Sequence, residues 1–448
     1  MDAKTFVLFS TGAISPFSDP SMTIYFARGS RQHELGMEDY IEAIEMTLAA
    51  RGNVRKVLAI PPDHTRLDSK AGPITHAALR VLGSKLTDVM PALGTHSAMN
   101  EEELTKMYGD FPRNLIRVHH YKTDVDTLGY VDAEFVSHAT EGCYQEAWPA
   151  QVNKLISRGD HDLILSIGQV VPHEVIGMAN YTKNIFVGTG GNAGIDGSHY
   201  LSALYGMERI MGRCDTPLRK ILNRGADLYL THRPIVYILT VVESTPDRGP
   251  VVRGLYVGDD HSVFTVAGDL ASQVNCFRIP EAPKKIVVWM DPNKYKKTWV
   301  ANKSIYRTRM AIADGGTLVV IAPGVSRFGE HDDVDHLIRK YGYRTTPEVK
   351  ELVSNHADLR SNLSVAAHLI HASPENRFRV EYCTNRLSVE EIESVGYFHG
   401  GDPDRAGLEY RLSEVQDGWN TSCSGEPFYF IRNAGLGLWM HSHHPHAF

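Results

Sequence analysis

Short apolar runs alternate with amphipathic stretches along most of this chain. "GMEDYIEAIEMTLAA" (36–50) sets Ile41, Ile44, Met46 and Leu48 near a 3.6-residue period and predicts a helix. Residues 55–60 form a short β-rich run closed by Pro61-Pro62, and "AGPITHAALRVLGSK" then reads as a helix. "LTDVMPALG" predicts a strand. In "THSAMNEEELTKMYG", Asn100 is placed to cap a helix whose first turn, Glu101 to Glu103, carries the anions the helix dipole favours. "NLIRVHHY", "HDLILSIG", "NIFVGTGG" and "PIVYILTVV" predict further strands, with helices expected at "AWPAQVNKLIS" and "YLSALYGMERIMG". Alternation of this kind predicts a parallel or mixed sheet covered on both faces. Such sheets bind ligands beyond the carboxyl ends of their strands, and Asp63, His96, His173 and Gly188 all follow or end apolar runs.

The pattern restarts after residue 273. "APKKIVVWMDPN" predicts a fresh first strand, "WVANKSIYRTRMAIADGG" a helix with a glycine stop, and "TLVVIAPG" the next strand. "VDHLIRKYG", "EVKELVSNH" and "LSVAAHLIHA" follow as helices and "RFRVEYCT" as a strand. The expected organisation is an α/β domain over 1–275, a second α/β domain over 276–405, and a segment 406–448 whose docking the pattern leaves open. Each domain is expected to hold a parallel or mixed sheet flanked by helices, with the active site in the cleft between them.

Composition narrows the function. A chain of 448 residues exceeds one ordinary core, and 42% hydrophobic with 22% charged residues is the profile of a soluble globular protein. A formal net charge of -7 does not invite a phosphate backbone, so nucleic acid is excluded as the main partner. No apolar run approaches the roughly 20 residues of a membrane span. The stretch "MDAKTFVLFSTGAISPF" lacks a basic region followed by a clean apolar core and is a poor signal peptide. Five scattered cysteines form no CxxC pair, which argues against a disulfide scaffold or a thiolate metal site and favours a reducing cytoplasm. Of 22 histidines, four lie in the closing "HSHHPHAF", read as a polar tail able to bind metal only adventitiously.

The candidate chemistry sits in loops. "PPDHTRLDSKAG" (61–72) offers Asp63, Thr65 and Arg66. The Arg66 fork suits a carboxylate or phosphate, but a turn with a local ion pair fits the same residues. His96, two residues after Gly94, is a candidate proton carrier; His119 and His120 read more simply as satisfied at a strand end. "PHEVIGMANYTKNIFVGTGG" (172–191) holds His173 and Lys183, with His199 following. Each is a polar loop residue on the plainest reading. A lysine of lowered pKa can also form a covalent bond to an acyl or carbonyl carbon, and a histidine can ligate a borderline metal. A zinc site from His173, His199 and a third group lacks compact ligand spacing. "GTGGNAG" misses the dinucleotide GxGxxG spacing by one, and Asp196-Gly197 suggests a continuing loop, so its glycines are read as allowing close backbone approach to a ligand. Lys303, on a predicted helix of the second domain, reads as a solvated surface lysine unless it faces a cleft.

Taken in order, these pieces resemble the nickel-dependent lactate racemase family of 2-hydroxyacid racemases and epimerases. "DHTR" resembles its Asp-x-Thr-Arg element and "LGTH" its Leu-Gly-Thr-His element. "PHEVIGMANYTK" resembles a Pro-His element with, ten residues on, the lysine of a Gly-Gly-Arg-Lys segment; Ser198-His199 stands where the family has its metal-binding histidine; and "WVANKS" resembles the second-domain segment that supplies a lysine. The likeness covers roughly residues 20 to 330. It implies a nickel pincer nucleotide (nickel pyridinium-3,5-bisthiocarboxylic acid mononucleotide) attached covalently to Lys183, with His199 as nickel ligand and Asp63, Thr65 and Trp299 lining the cofactor side. It also implies His96 and His173 as bases on opposite faces of a small-molecule 2-hydroxy acid. Hydride passes from carbon 2 to the cofactor and back, while Arg66 and Lys303 hold the carboxylate. Cofactor-biosynthesis proteins are implied partners.

The departures are local. "ANYTK" replaces the glycine-rich basic approach to the lysine, Val300 stands where the family has a glutamine, and Trp299 stands in place of a tyrosine. They point away from lactate toward a longer or more apolar hydroxy acid, or a sugar acid. Two other classes compete: a nicotinamide-dependent hydroxyacid dehydrogenase, resting on the loose glycine loop, and a non-catalytic cofactor-binding protein, resting on the changes at Trp299 and Val300.

Overall fold

The computed structural model describes residues 23–245 and 248–448. The stretch read against the signal-peptide pattern lies outside them. The chain groups into two compact units: one of residues up to Ile195 together with Gly212–Asn275, the other of Asp196–Met211 together with Cys276–Phe448.

The first unit is built on a six-stranded sheet. Its strands are β1 (Ile24–Gly29), β2 (Val57–Ile60), β3 (Leu86–Val89), β6 (Leu163–Gln169), β9 (Ile235–Thr245) and β10 (Gly249–Gly258), in the order β1-β10-β9-β6-β2-β3. The pairs β2/β3, β2/β6 and β6/β9 are parallel, and β9/β10 and β10/β1 antiparallel, so the sheet is mixed. Two smaller pairings complete the strand series, a ribbon of β4 (Val125–Val131) with β5 (Trp148–Asn153) and a tight pair of β7 (Pro172–His173) with β8 (Gly177–Met178). Every residue of β2 and β6 is buried, which explains their unbroken apolar runs.

Helices α1 (Met37–Arg51), α2 (Ala71–Leu82) and α3 (Glu101–Tyr108) join this core. Val57 and Ala59, Leu163, Leu165 and Ile167, and Val236 and Ile238 lie in one cluster with Ile44, Ile74 and Ala78, as alternation along a strand demands. On α1 the inward residues are Tyr40, Ala43, Ile44 and Thr47; Met46, counted above with the apolar stripe, is 42% exposed because it lies about 200° round the helix from Ile44. Asn100 caps α3 as its sequence requires, accepting from Glu103 N at 2.9 Å while Glu103 returns a bond to Asn100 N.

Three expected elements come out differently. "AWPAQVNKLIS" is strand β5 followed by the single turn α5 (Lys154–Ser157), after α4 (Ala133–Ala139). The period of two, with Trp148, Ala150 and Val152 buried, outweighs its helix-like composition. "NLIRVHHY" forms a 3-10 turn at Arg113–Leu115 and one bridge, Val89 to Ile116, rather than a strand. "NIFVGTGG" is not a strand either: Asn184–Gly188 is a π-helical turn. The residues after it, expected to continue as a loop through Asp196-Gly197, form helix α6 (Asn192–Tyr205). Gly206, with φ of 105°, separates α6 from α7 (Met207–Ile210) inside what read as one helix. Helices α8 (Pro217–Tyr229) and α9 (His261–Asn275) complete the first unit.

The second unit carries β11 (Cys276–Ile279), β12 (Lys285–Trp289), β13 (Thr317–Ile321), β14 (Arg379–Cys383), β15 (Phe398–His399), β16 (Gly418–Thr421), β17 (Pro427–Ile431) and β18 (Leu438–His441). Its main sheet runs β15-β14-β13-β12-β17-β16, parallel except for the β16/β17 edge. The segment 406–448 therefore supplies two strands of this sheet, and β18 pairs in parallel with β11. "WVANKSIYRTR" divides into α10 (Thr298–Ala301) and α11 (Lys303–Thr308) instead of one helix. The histidine tail is not merely a polar end. His444 is buried, with Nε2 3.3 Å from Glu208, which also meets Arg309 at 2.9 Å and Arg377 at 3.0 Å.

Candidate functional site

In the first unit, the carboxyl ends of β2, β3 and β6 lie on one side of the sheet because these strands are parallel and adjacent. The loop after β2 opens with Asp63, which is buried and caps the 3-10 turn His64–Ser69 by accepting from Thr65 N at 3.0 Å. Its other oxygen meets His96 Nδ1 at 2.5 Å. Thr65 Oγ1 donates to Asp63 at 2.5 Å and accepts from Arg66 at 3.1 Å. Burial would raise the Asp63 carboxyl, but the charge and hydrogen bond of His96, with Arg66 and Thr65 behind them, hold it well below the usual carboxylate range. An ionised Asp63 makes Nδ1 the protonated nitrogen of His96 and leaves the Nε2 lone pair as the base. The His96 side chain is 22% exposed, so reactants reach it.

Gly94 supplies the left-handed φ of 57° that turns the chain into His96, and its N–H donates to Gly188 O at 2.8 Å. A Cβ on Gly190 would stand 1.8 Å from Phe186 O. The glycines read as room for a ligand thus admit close approach of the protein's own backbone. His119 holds the same loop: it is buried, its Nε2 meets Gly190 O at 3.1 Å and its Nδ1 meets Asn153 at 2.9 Å. Burial lowers its pKa to about 4, which marks a neutral structural histidine. The π-turn in front of the glycines also removes the strand–turn–helix context a dinucleotide fingerprint needs.

After β6, His173 sits buried in the β7–β8 pair. Its Nδ1 accepts from Val175 N at 3.1 Å, so the neutral ring carries its proton on Nε2, 3.8 Å from Glu174 Oε1. Lys183 follows a turn in which Asn180 and Tyr181 both take positive φ. Its side chain is half-buried. Burial first, and then the positive charge of Arg66, lower the Lys183 amine to about 8, with Arg219 adding to the effect and Glu174 and Asp63 opposing it. Asp63, Arg66 and Lys183 are therefore electrostatic neighbours, and His96 joins them through Asp63.

The remaining expected residues lie in the second unit. His199 is on α6, with Nδ1 3.1 Å from Ser198 Oγ. It was expected within 1–275 beside the lysine, but α6 passes from one unit to the other at Asp196, whose carboxylate accepts from Ser364 N at 3.1 Å. Trp299 lies against His368, ring centroids 4.3 Å apart. His368 in turn meets Tyr306 OH at 2.8 Å. Lys303 begins α11 and is partly exposed, directly after buried Asn302, which accepts from Tyr382 OH at 3.0 Å. Among the described residues no group of three or more His, Cys, Asp or Glu is arranged to hold a metal ion, and all five cysteines are free thiols.

Residues 37–209 match the family model described as the lactate racemase N-terminal domain. A crystal structure of a Thermotoga maritima protein aligns with a TM-score of 0.77 at 26% identity, covering 91% of this chain and 99% of that one. Residues 37–209 thus belong to the lactate racemase N-terminal domain family. The apoprotein of lactate racemase from Thermoanaerobacterium thermosaccharolyticum shares the fold, with a TM-score of 0.63 at 13% identity over 92% of this chain and 94% of that one. No curated protein matches the sequence. Within this family's fold, sequence reading missed Glu174, Arg219 and His368. Glu174 was visible as the neighbour of His173, whereas Arg219 and His368 carry no local signal and are identified only by what they touch. Among the described residues no helix is long and apolar enough to cross a membrane.

Proposed function

We propose that this protein is a 2-hydroxyacid racemase or epimerase that uses a nickel pincer nucleotide carried on Lys183. Family membership supports the general role of a hydroxy-acid isomerase. The observation that carries the finer reading is the meeting of an ionised, buried Asp63 on His96 with the half-buried Lys183 amine and Arg66 as electrostatic neighbours.

The residues present suit the cofactor. A lysine whose pKa is lowered to about 8 holds a useful fraction of neutral, nucleophilic amine near neutral pH. A metal that arrives with sulfur and carbon donors needs one protein imidazole. Lys183 would hold the group covalently and His199 would complete the nickel coordination. When bound, the group supplies the hydride-accepting and hydride-returning centre.

The protein's own part is proton transfer and positioning. His96 Nε2 takes the proton of the 2-hydroxyl, and Asp63 stabilises the resulting imidazolium as the carboxylate of a triad does. His173 Nε2, beside Glu174, is assigned the matching proton transfer on the opposite face, a role that requires its Nδ1 to release the Val175 N–H when the ring takes its second proton, and the two roles exchange with the hand of the substrate. Arg66 and Lys303 bind the carboxylate, fixing carbon 2 for both directions. Val300 removes an amide, and Trp299 adds ring surface, which supports a hydroxy acid longer or more apolar than lactate, or a sugar acid.

The test is intact-protein mass with nickel analysis on chain produced together with the cofactor-biosynthesis proteins. The expected result is a mass addition on the Lys183 peptide with stoichiometric nickel, both lost in Lys183→Arg. An unmodified Lys183 without nickel, alongside a loaded control racemase from the same host, overturns the proposal.

A further inference from the structure

The turn that presents Lys183 is made of residues that resist its shape. Asn180 and Tyr181 have φ of 69° and 57°, a region that side-chain-bearing residues seldom occupy in succession. The segment this turn resembles has two glycines there. Strain of this kind persists only where the surroundings over-determine it.

The surroundings converge on one guanidinium. Arg219, on α8 and 1% exposed, donates from Nη2 to Met178 O at 2.7 Å and from Nη1 to Asn180 O at 3.1 Å and Thr182 Oγ1 at 2.9 Å. Its guanidinium carbon lies 4.1 Å from the Phe264 ring centroid. Among the described residues no carboxylate forms a salt bridge with it. A buried cation without an anion is costly, so three aimed donors on a single turn define its purpose. The same turn is pinned by Tyr181, packed on Tyr237 and stacked on Phe264, and by Asn180 Nδ2, which stands 2.1 Å from where a Gly168 Cβ would be.

We propose that Arg219 is the positioning residue of the lysine turn: its fork across Met178, Asn180 and Thr182 holds the left-handed Asn180–Tyr181 pair in the one conformation that presents the Lys183 amine for attachment of the cofactor. The inference rests on the reading of Lys183 as the attachment residue. Loss of the fork leaves three buried acceptors without their donor and lets the turn relax toward solvent. It also removes one of the positive charges that, with burial and Arg66, lower the amine against Glu174 and Asp63.

The experiment is competitive labelling of full-length, cofactor-free protein with acetic anhydride across pH, read on the Lys183 peptide by mass, with thermal melts in parallel. The wild type is expected to show a labelling midpoint about 8. Arg219→Met is expected to move it upward by about one unit or more, toward the ordinary lysine value. Adding Asn180→Gly, which takes the left-handed conformation without strain, is expected to restore at least half of the shift. Where methionine unfolds the chain, Arg219→Lys keeps the charge but cannot span three acceptors, and it supplies the same readout. An unchanged midpoint in a folded Arg219 variant, or no recovery on adding Asn180→Gly, overturns the clamp. A labelling curve that depends on Arg219 in a protein whose Lys183 gains no mass on loading overturns the attachment reading alone.

Discussion

The loops at the carboxyl ends of the first unit's sheet and the buried polar layer of the second unit use the same residue types for different ends. In the first, Asp63, Arg66 and Lys183 interact electrostatically with His96 hydrogen-bonded to Asp63, and three of the four, Arg66, His96 and Lys183, keep partial contact with solvent. In the second, Thr298, Tyr343, Tyr306, His368, Asn302 and Tyr382 form a buried, largely neutral set: Tyr343 OH meets Thr298 at 2.7 Å and Tyr306 OH meets His368 at 2.8 Å. Burying an ion without full pairing is expensive, while a neutral hydrogen-bonded network satisfies itself. The lesson is that a histidine's surroundings, not its presence, mark chemistry. His96 is partly exposed on a carboxylate, and His119 is buried between an amide and a carbonyl.

The sharpest way to break this contrast is at its charged end. Asp63→Asn preserves shape but abolishes the anion that fixes the His96 tautomer. It is expected to lower kcat for racemisation by about a hundred- to ten-thousand-fold with the melting temperature little changed, and a near-wild-type kcat would remove Asp63 from the mechanism. A middle-sized effect is expected at His119. Its pKa is about 4 in the fold against 6.5 for an unperturbed imidazole. The fold needs the neutral ring, so its stabilisation is full above about pH 6.5 and is lost as pH falls toward 4. Chemical denaturation should show a loss on the order of 3 kcal/mol across that window, and His119→Gln should flatten it. The smallest effect is expected in the neutral layer. Tyr343→Phe removes the hydroxyl's bond to Thr298 and its longer one, 3.4 Å, to His368, while Thr298 still donates to Phe328 O, so stability should fall by about 0.5–1.5 kcal/mol and kcat should stay within about twofold. A large loss of activity there would make the second unit's layer part of the chemistry.

Much of the architecture was legible before any coordinates. The apolar runs of β2, β6, β9, β12 and β13 announced two α/β sheets because strands buried on both faces must be apolar throughout. Asn100 followed by Glu101 to Glu103 marked a helix start, and there the structure closes a capping box between Asn100 and Glu103. Elements failed where local composition and tertiary contact disagreed. Trp148–Asn153 pairs as a strand although its residues also suit a helix, and the run after Lys183 winds as a π-turn although it is β-rich. The order of Asp63, Arg66, His96, His173, Lys183 and His199 pointed to one family without revealing which groups meet.

By itself the sequence determined the periodicities, the caps and the order of the reactive residues, because those depend on neighbours within a few positions. Tertiary structure alone decided that Asp63 grips His96 across 33 positions of chain, that His119 serves Gly190, and that Arg219 braces a turn about forty residues before it. Such contacts join groups distant in sequence, and their energies depend on burial and geometry that no local pattern records.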